Sequence, residues 1–207
     1  MAHKRDSVVL LGDWGVGKSS MLAAHTTGEA QTKGVASTIG MSFCCLERAS
    51  KEHPGGINCW DTAGQERYRS LIPMYTRGAG AFICVVPSVG PYDERSVITP
   101  ITQCIKSESY ENLIQIALVM SKNDISSNVE RVLGPLETQV KELLFHNAIS
   151  AEVTIHSCSA LDPPSCSAVF DSCVRKIKDA RACISNSVIV VDSTYPPPHQ
   201  KRRFRCC

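Results

Sequence analysis

Gly12-Asp13-Trp14-Gly15-Val16-Gly17-Lys18-Ser19 decides the fold. It opens where the apolar run Val8-Val9-Leu10-Leu11 stops, and a helix-capable segment, Lys18–His25, follows it. The stretch fits G-x-x-x-x-G-K-[ST], a loop between a buried strand and a helix. Its glycines let the backbone curl so that successive N–H groups point inward at phosphate oxygens. Lys18 is placed to bridge the β- and γ-phosphates of a nucleotide, and the Ser19 hydroxyl to ligate Mg²⁺. Gly12, Gly15, Val16, Gly17, Lys18, Ser19 and Ser20 are therefore the candidate phosphate contacts.

A second motif lies downstream, Trp60-Asp61-Thr62-Ala63-Gly64-Gln65-Glu66. Ile57-Asn58-Cys59-Trp60 reads as a strand, so Asp61 falls at its end, where a carboxylate can hold the water shell of Mg²⁺. Gly64 lets its backbone N–H approach a γ-phosphate. Gln65 is placed to orient an attacking water, with Lys18 as its catalytic companion.

The remaining chain sets these motifs in an alternating order. Strand-like runs recur at Val8–Leu11, Met41–Leu46, Ile57–Trp60, Ala81–Val86, Ile114–Met120 and Val153–His156. Helix-capable segments stand between most of them, at Lys18–His25, Asp93–Ser107, Leu136–Asn147 and Ser165–Cys183. In Leu136–Phe145 the apolar residues Leu136, Val140, Leu143 and Leu144 mark one helical face. Alternation of this kind implies an α/β fold of three layers, a six-stranded, mainly parallel sheet with helices on both faces. The turn-rich Glu47–Gly56 suits a hairpin that makes one strand antiparallel. Ligands of such sheets bind at the carboxyl ends of the strands, where the glycine loop falls.

With 207 residues the chain holds one domain of common size, 1–184, and a tail, 185–207, that carries Pro196-Pro197-Pro198 and reads as flexible. A content of 43% hydrophobic and 20% charged residues is that of a globular protein. The net charge of +2 is dispersed except at the C-terminus and gives no footprint for nucleic acid. No apolar run approaches membrane-spanning length. Eleven cysteines include no C-x-x-C pair at metal-ligand spacing. Met1–Asp6 carry no secretory signal, so a reducing cytosol is expected, with most cysteines serving as small hydrophobes.

On these motifs the chain resembles a small GTPase of the Ras superfamily, and within it a Rab. The Rab-like pieces are Ile39-Gly40-Met41-Ser42-Phe43, Arg67-Tyr68-Arg69-Ser70-Leu71, Tyr75-Thr76-Arg77-Gly78-Ala79 and the terminal Cys206-Cys207. The likeness is strong through Ala79 and weaker afterwards. It implies the P-loop GTPase fold, GTP and GDP as ligands, Mg²⁺ as cofactor, and a monomer. Thr38 matches the first-switch threonine, whose hydroxyl binds the metal and whose N–H meets the γ-phosphate. Loss of that phosphate would release Thr38 and Gly64 together. Phe43, Trp60 and Tyr75 match the aromatic triad presented to effector proteins; the plainer reading makes them core aromatics.

The pattern is broken in places. Where the family has Asn-Lys-x-Asp this chain has Ser121-Lys122-Asn123-Asp124. Asp124 can still pair with guanine and Lys122 can lie along the base. Loss of the asparagine amide is expected to remove a purine contact and a brace to the phosphate loop. Asn123, one residue late, is expected to point away. Ser159-Ala160-Leu161 resembles the Ser-Ala-Lys loop, in which the Ala160 N–H meets the guanine carbonyl, with Leu161 replacing the lysine. No aromatic lies between Trp14 and Phe43 to stack on the base. Weaker binding and faster release are expected. Trp14 stands where the family has a small residue, so slow hydrolysis is expected too.

The ending Lys201-Arg202-Arg203-Phe204-Arg205-Cys206-Cys207 resembles the double-cysteine terminus that receives two geranylgeranyl groups. Two lipids beside basic residues anchor stably. The implied partners are the cytoplasmic leaflet of an intracellular membrane, effectors, an exchange factor, a GTPase-activating protein and a prenyl-binding escort or dissociation inhibitor. The leading reading is a membrane-anchored switch in vesicle trafficking that cycles with the cytosol. The alternative is a membrane adaptor whose nucleotide cycle has faded. A phosphate-loop kinase or ATPase fits less well, because Asp124 favours guanine and no second-substrate lid is visible.

Overall fold

The computed structural model describes residues 6–33, 36–48, 56–108 and 110–187. Strand β1 (Asp6–Leu11) lies at the centre of its sheet, parallel to β3 (Ile57–Thr62) on one side and to β4 (Ala81–Pro87) on the other. β5 (Gln115–Ser121) and β6 (Glu152–Ser157) continue the parallel run, while β2 (Met41–Glu47) pairs antiparallel with β3. Six strands with one antiparallel are what the sequence implies, and the structure sets their order as β2-β3-β1-β4-β5-β6.

Both faces are covered, which explains why the strands read as unbroken apolar runs rather than alternating ones. Val8 and Leu10 face one core, packed under α1 (Lys18–Thr27) and α5 (Pro163–Ser187) with Met21, Phe170, Cys173 and Ile177. Val9 and Leu11 face the other, with Phe82, Ile101, Leu133 and Val140, under α3 (Arg95–Lys106) and α4 (Val129–His146). Every residue of β4 and β5 is buried. Full burial of one Leu, Ile or Phe side chain contributes about 1.5–3 kcal/mol.

Three elements depart from the sequence reading. Helix α4 starts at Val129 rather than Leu136, because the Asn128 side chain accepts from Arg131 N at 3.1 Å and caps it. Leu133 is fully buried and joins Leu136, Val140 and Leu144 in one stripe, which offsets the proline at position 135. The short helix α2 (Ile72–Thr76), with a proline in its first turn, carries too few residues to show a period. Helix α5 runs on to Ser187, past the boundary drawn at 184. The tail beyond 187, with Cys206 and Cys207, and the 49–55 part of the expected hairpin lie outside the described residues.

Candidate active site

The phosphate loop leaves the centre of the sheet and ends on Gly17, the residue before α1. Gly12 has φ 139°, and a Cβ there would strike the Val85 carbonyl. Only glycine fits so close to the neighbouring strand. Lys18 curls back over the loop and is only 5% exposed. Its Nζ donates to the Gly12 carbonyl at 3.0 Å and the Asp13 carbonyl at 2.8 Å. Burial lowers its pKa to about 8, against the opposing pull of Asp61 and Asp13. An anion arriving beside it would therefore restore charge that burial disfavours.

Three oxygen-bearing side chains from three parts of the chain converge beside this lysine. Ser19 Oγ donates to Asp61 Oδ2 at 2.6 Å, and Thr38 Oγ1 donates to the same oxygen at 3.1 Å. The two hydroxyl oxygens are 2.7 Å apart. Asp61 is buried, and its other oxygen, Oδ1, has no hydrogen-bond partner. Adjacent ligands of an octahedral Mg²⁺ at about 2.1 Å stand about 2.9 Å apart, and that ion takes oxygen donors. The spacing, the donor set and the orphaned carboxylate oxygen all fit a small hard dication.

A pocket of about 230 Å³ opens here, lined by Trp14, Gly15, Gly17, Lys18, Ser19, Ser20, Ala36, Ser37, Thr38, Thr62 and Gly64. Gly64 is pressed onto the phosphate loop: a Cβ would meet the Asp13 carbonyl group and lie 2.5 Å from Trp14 N. The segment after β3 therefore rests directly on the phosphate loop, and only a glycine permits the approach.

Trp14 does not fill the pocket. Its side chain turns outward, 61% exposed, and the indole Nε1 donates to Ser37 Oγ at 3.4 Å, so it spans the mouth from the loop to the Thr38 segment. Gln65 lines a second depression with Asp13, Trp14, Gly15, Arg67 and Pro91. Trp14 and Gly15 are walls of both, so the two depressions adjoin at the phosphate loop.

The Ser121 region corrects one expectation. The brace to the phosphate loop is present: Ser121 Oγ donates to the Val16 carbonyl at 2.5 Å and shares the proton with the Val86 carbonyl at 3.2 Å. A hydroxyl reaches because the loop settles against this strand end, where a Cβ on Gly17 would stand in ordinary contact 3.8 Å from Ser121 Cβ. Lys122, in the left-handed region at φ 57°, lays its Nζ on the Gly15 carbonyl at 3.0 Å. Asn123 turns to β6, its backbone N–H donating to the Cys158 carbonyl at 3.2 Å and its side-chain amide 3.5 Å from Ser157 Oγ. That bond stitches the Ser121–Asp124 segment to the Ser159–Leu161 loop, and Asp124 stays exposed. Ser159 is buried and its Oγ accepts from Leu161 N at 3.1 Å. The Ala160 carbonyl accepts from Gln31 N at 2.8 Å, and Leu161 is half exposed.

Asp13 and Ser37 carry contacts that sequence reasoning missed. Asp13 Oδ1 accepts from Trp14 N at 2.8 Å, and its Oδ2 accepts from Asp93 N at 3.1 Å, tying the phosphate loop to the entry of α3. Both residues occupy positions the motifs leave open, so no sequence signal marks them. The aromatic row does form: the Phe43 and Trp60 ring centroids are 4.7 Å apart, and those of Trp60 and Tyr75 are 5.7 Å apart. Phe43 is 49% exposed.

Comparison with known proteins agrees with this architecture. The Ras family model matches residues 7–179. The chain is similar to the Ras-related protein Rab-31 of Rattus norvegicus, 30% identical over 171 residues, which are 79% of this chain and 86% of that protein. It is similar to Rab-11A of Dictyostelium discoideum, 30% identical over 215 residues, 97% of this chain and 93% of that one. Over a shorter stretch of 78 residues, 38% of each chain, it is 47% identical to Rab5A of Oryza sativa subsp. japonica.

Proposed function

The chain belongs to the Ras family, and from that premise we propose a prenylated, Rab-like switch that recruits effectors to a membrane in vesicle trafficking while its GTP is intact. It is a small GTPase, hydrolysing GTP to GDP and phosphate. The observation that carries the reading is the meeting of Ser19, Thr38 and Asp61 beside Lys18 at the mouth of one pocket.

Ser19 and Thr38 would hold Mg²⁺ directly and Asp61 through water. Bound there, the ion would offset charge on the β- and γ-phosphates. Lys18 would exchange its contacts with the Gly12 and Asp13 carbonyls for phosphate oxygens. Ser121, Lys122 and Asp124, with Ser159, Ala160 and Leu161, would frame the guanine. Gln65 would orient the attacking water from the adjoining depression. An indole at the mouth these depressions share would crowd that approach and slow hydrolysis. A stimulating arginine, which contributes about 10³–10⁵ in rate elsewhere, must also pass it.

Thr38 and Gly64 tether two segments to one phosphate. Each charge-assisted contact is worth about 1.5–3 kcal/mol, so their release shifts the loop equilibrium by orders of magnitude. Phe43, Trp60 and Tyr75 form the surface that effectors would read. Cys206 and Cys207 would carry the lipids and the preceding basic residues would meet the anionic cytoplasmic leaflet. An exchange factor, a GTPase-activating protein and a prenyl-binding escort complete the cycle, with the protein a monomer moving between membrane and cytosol.

The placement of Trp14 favours one second reading, a membrane adaptor in which cycling has faded. Purification with Mg²⁺, identification of any bound nucleotide, and timing of added GTP against Gln65→Leu separate the two. Bound GDP or GTP with a slow, Gln65-dependent turnover establishes the switch. An empty protein that ignores millimolar GTP leaves the adaptor.

A further inference from the structure

Cys44 on β2 and Cys59 on β3 stand directly opposite one another in the antiparallel pair. Opposed residues in such a ladder have Cα atoms about 4.5–5.5 Å apart. Disulfides form across Cα separations of about 4.4–6.8 Å. The two side chains also point the same way, both packed on the core beneath α1 and α5. Phe43 and Trp60, the next opposed pair, point to the other face. We propose that Cys44 and Cys59 are a reversible thiol–disulfide pair that, on oxidation by peroxide, pins the register of the β2–β3 ribbon.

The two thiols differ in the way such a pair requires. Cys44 lies on the edge strand and is only partly buried, whereas Cys59 is wholly buried. Cys44 is thus the accessible nucleophile and Cys59 the resolving partner.

The chemistry balances. The Cys44 sulfur attacks one oxygen of hydrogen peroxide, the O–O bond breaks, and the departing hydroxide leaves as water with the thiol proton. The sulfenic acid so formed is attacked by the Cys59 sulfur. Its S–O bond breaks, and hydroxide leaves as a second water with the Cys59 proton. Two thiols have lost two electrons and two protons, and peroxide has become two waters. A dithiol reverses the bond by exchange.

The consequence lies in what β2 connects. It begins three residues after Thr38, carries Phe43, and slipping by one position would invert its faces. A covalent rung fixes that register whatever occupies the phosphate site.

The test uses the full-length protein with GDP and Mg²⁺, treated with hydrogen peroxide, alkylated and mapped without reduction. The expected product is a Cys44–Cys59 cross-linked peptide, abolished by dithiothreitol and absent from Cys44→Ser. Cys59→Ala should instead carry Cys44 to the sulfinic acid. Amide exchange across Met41–Glu47 should slow by about tenfold or more in the oxidised protein. A Cys44 link to Cys173, sulfinic acid at Cys44 in the unaltered protein without a link to Cys59, or unchanged β2 exchange after cross-linking overturns the proposal. Should Cys59→Ala fail to fold, the peptide map of the unaltered protein and Cys44→Ser still decides.

Discussion

Replacing Ser121 by alanine removes one hydroxyl and tests whether the phosphate loop is held from behind. Ser121 is only 4% exposed, and its Oγ is shared between the Val16 and Val86 carbonyls. In Ser121→Ala the Val16 carbonyl keeps its burial and loses that donor. A net hydrogen bond is worth about 0.5–1.5 kcal/mol, but an orphaned buried acceptor costs about 1–3 kcal/mol. If that cost falls on the loop conformation competent for phosphate, affinity drops by about 5- to 150-fold. Release of a fluorescent GDP analogue, chased with excess GDP in Mg²⁺, reads this as a faster dissociation rate. Release within twofold of the unaltered protein, with the melting temperature unmoved, would show that the hydroxyl braces nothing. Ser121→Asn is the companion: it keeps a donor and adds a purine contact, so release should slow.

Four further outcomes follow from the same geometry. Gly64→Ala should lift the segment after β3 off the phosphate loop, cutting GTP hydrolysis by at least about 100-fold, as loss of one positioned group does elsewhere, with GDP binding retained; near-normal turnover contradicts the packing at Asp13 and Trp14. Lys18 titrates near 8 when free, and phosphate raises its pKa, so binding takes up a proton above that pH. Nucleotide affinity should then fall by up to about tenfold per pH unit above 8, in a titration series on the empty protein, and Lys18→Met should flatten the slope. Trp14→Ser should raise intrinsic hydrolysis by about tenfold, equivalent to about 1.4 kcal/mol of barrier, in a single-turnover phosphate-release assay; an unchanged rate means that the indole obstructs nothing. Phe170→Ala, at a fully buried side chain between α5 and the sheet, should cost about 3–5 kcal/mol in chemical denaturation.

Much of this molecule is legible in its sequence because two motifs fix the chain at adjacent strand ends. Gly12–Ser19 and Asp61–Gln65 each demand a strand before them, and β1 and β3 do pair side by side. The apolar runs after Ala81 announce strands without saying how they are ordered, since residues buried on both faces carry no alternation to read. Helix α4 begins earlier than the apolar face over 136–144 shows, because Asn128 caps it upstream and Leu133 extends the buried stripe past Pro135. The Ser121 brace is hidden for a different reason. Motif comparison counts a serine as a missing amide, whereas the carbonyl behind it needs only a donor at the right distance. The outward turn of Trp14 depends on Ser37, more than twenty positions away, and no local pattern encodes it.

The bond from the Gln31 amide to the Ala160 carbonyl ties together two segments proposed to meet opposite ends of the nucleotide. Gln31 lies just beyond α1, on the chain leading to Thr38, while Ala160 sits in the loop proposed to frame the guanine. Leverage applied to the first segment is therefore felt by the second. An exchange protein gripping only the phosphate end would loosen the base end in the same stroke, so the pocket opens as a jaw rather than as two independent latches. Amide exchange at Gln31 and nucleotide release should then share one rate, and separate rates would mean two latches after all.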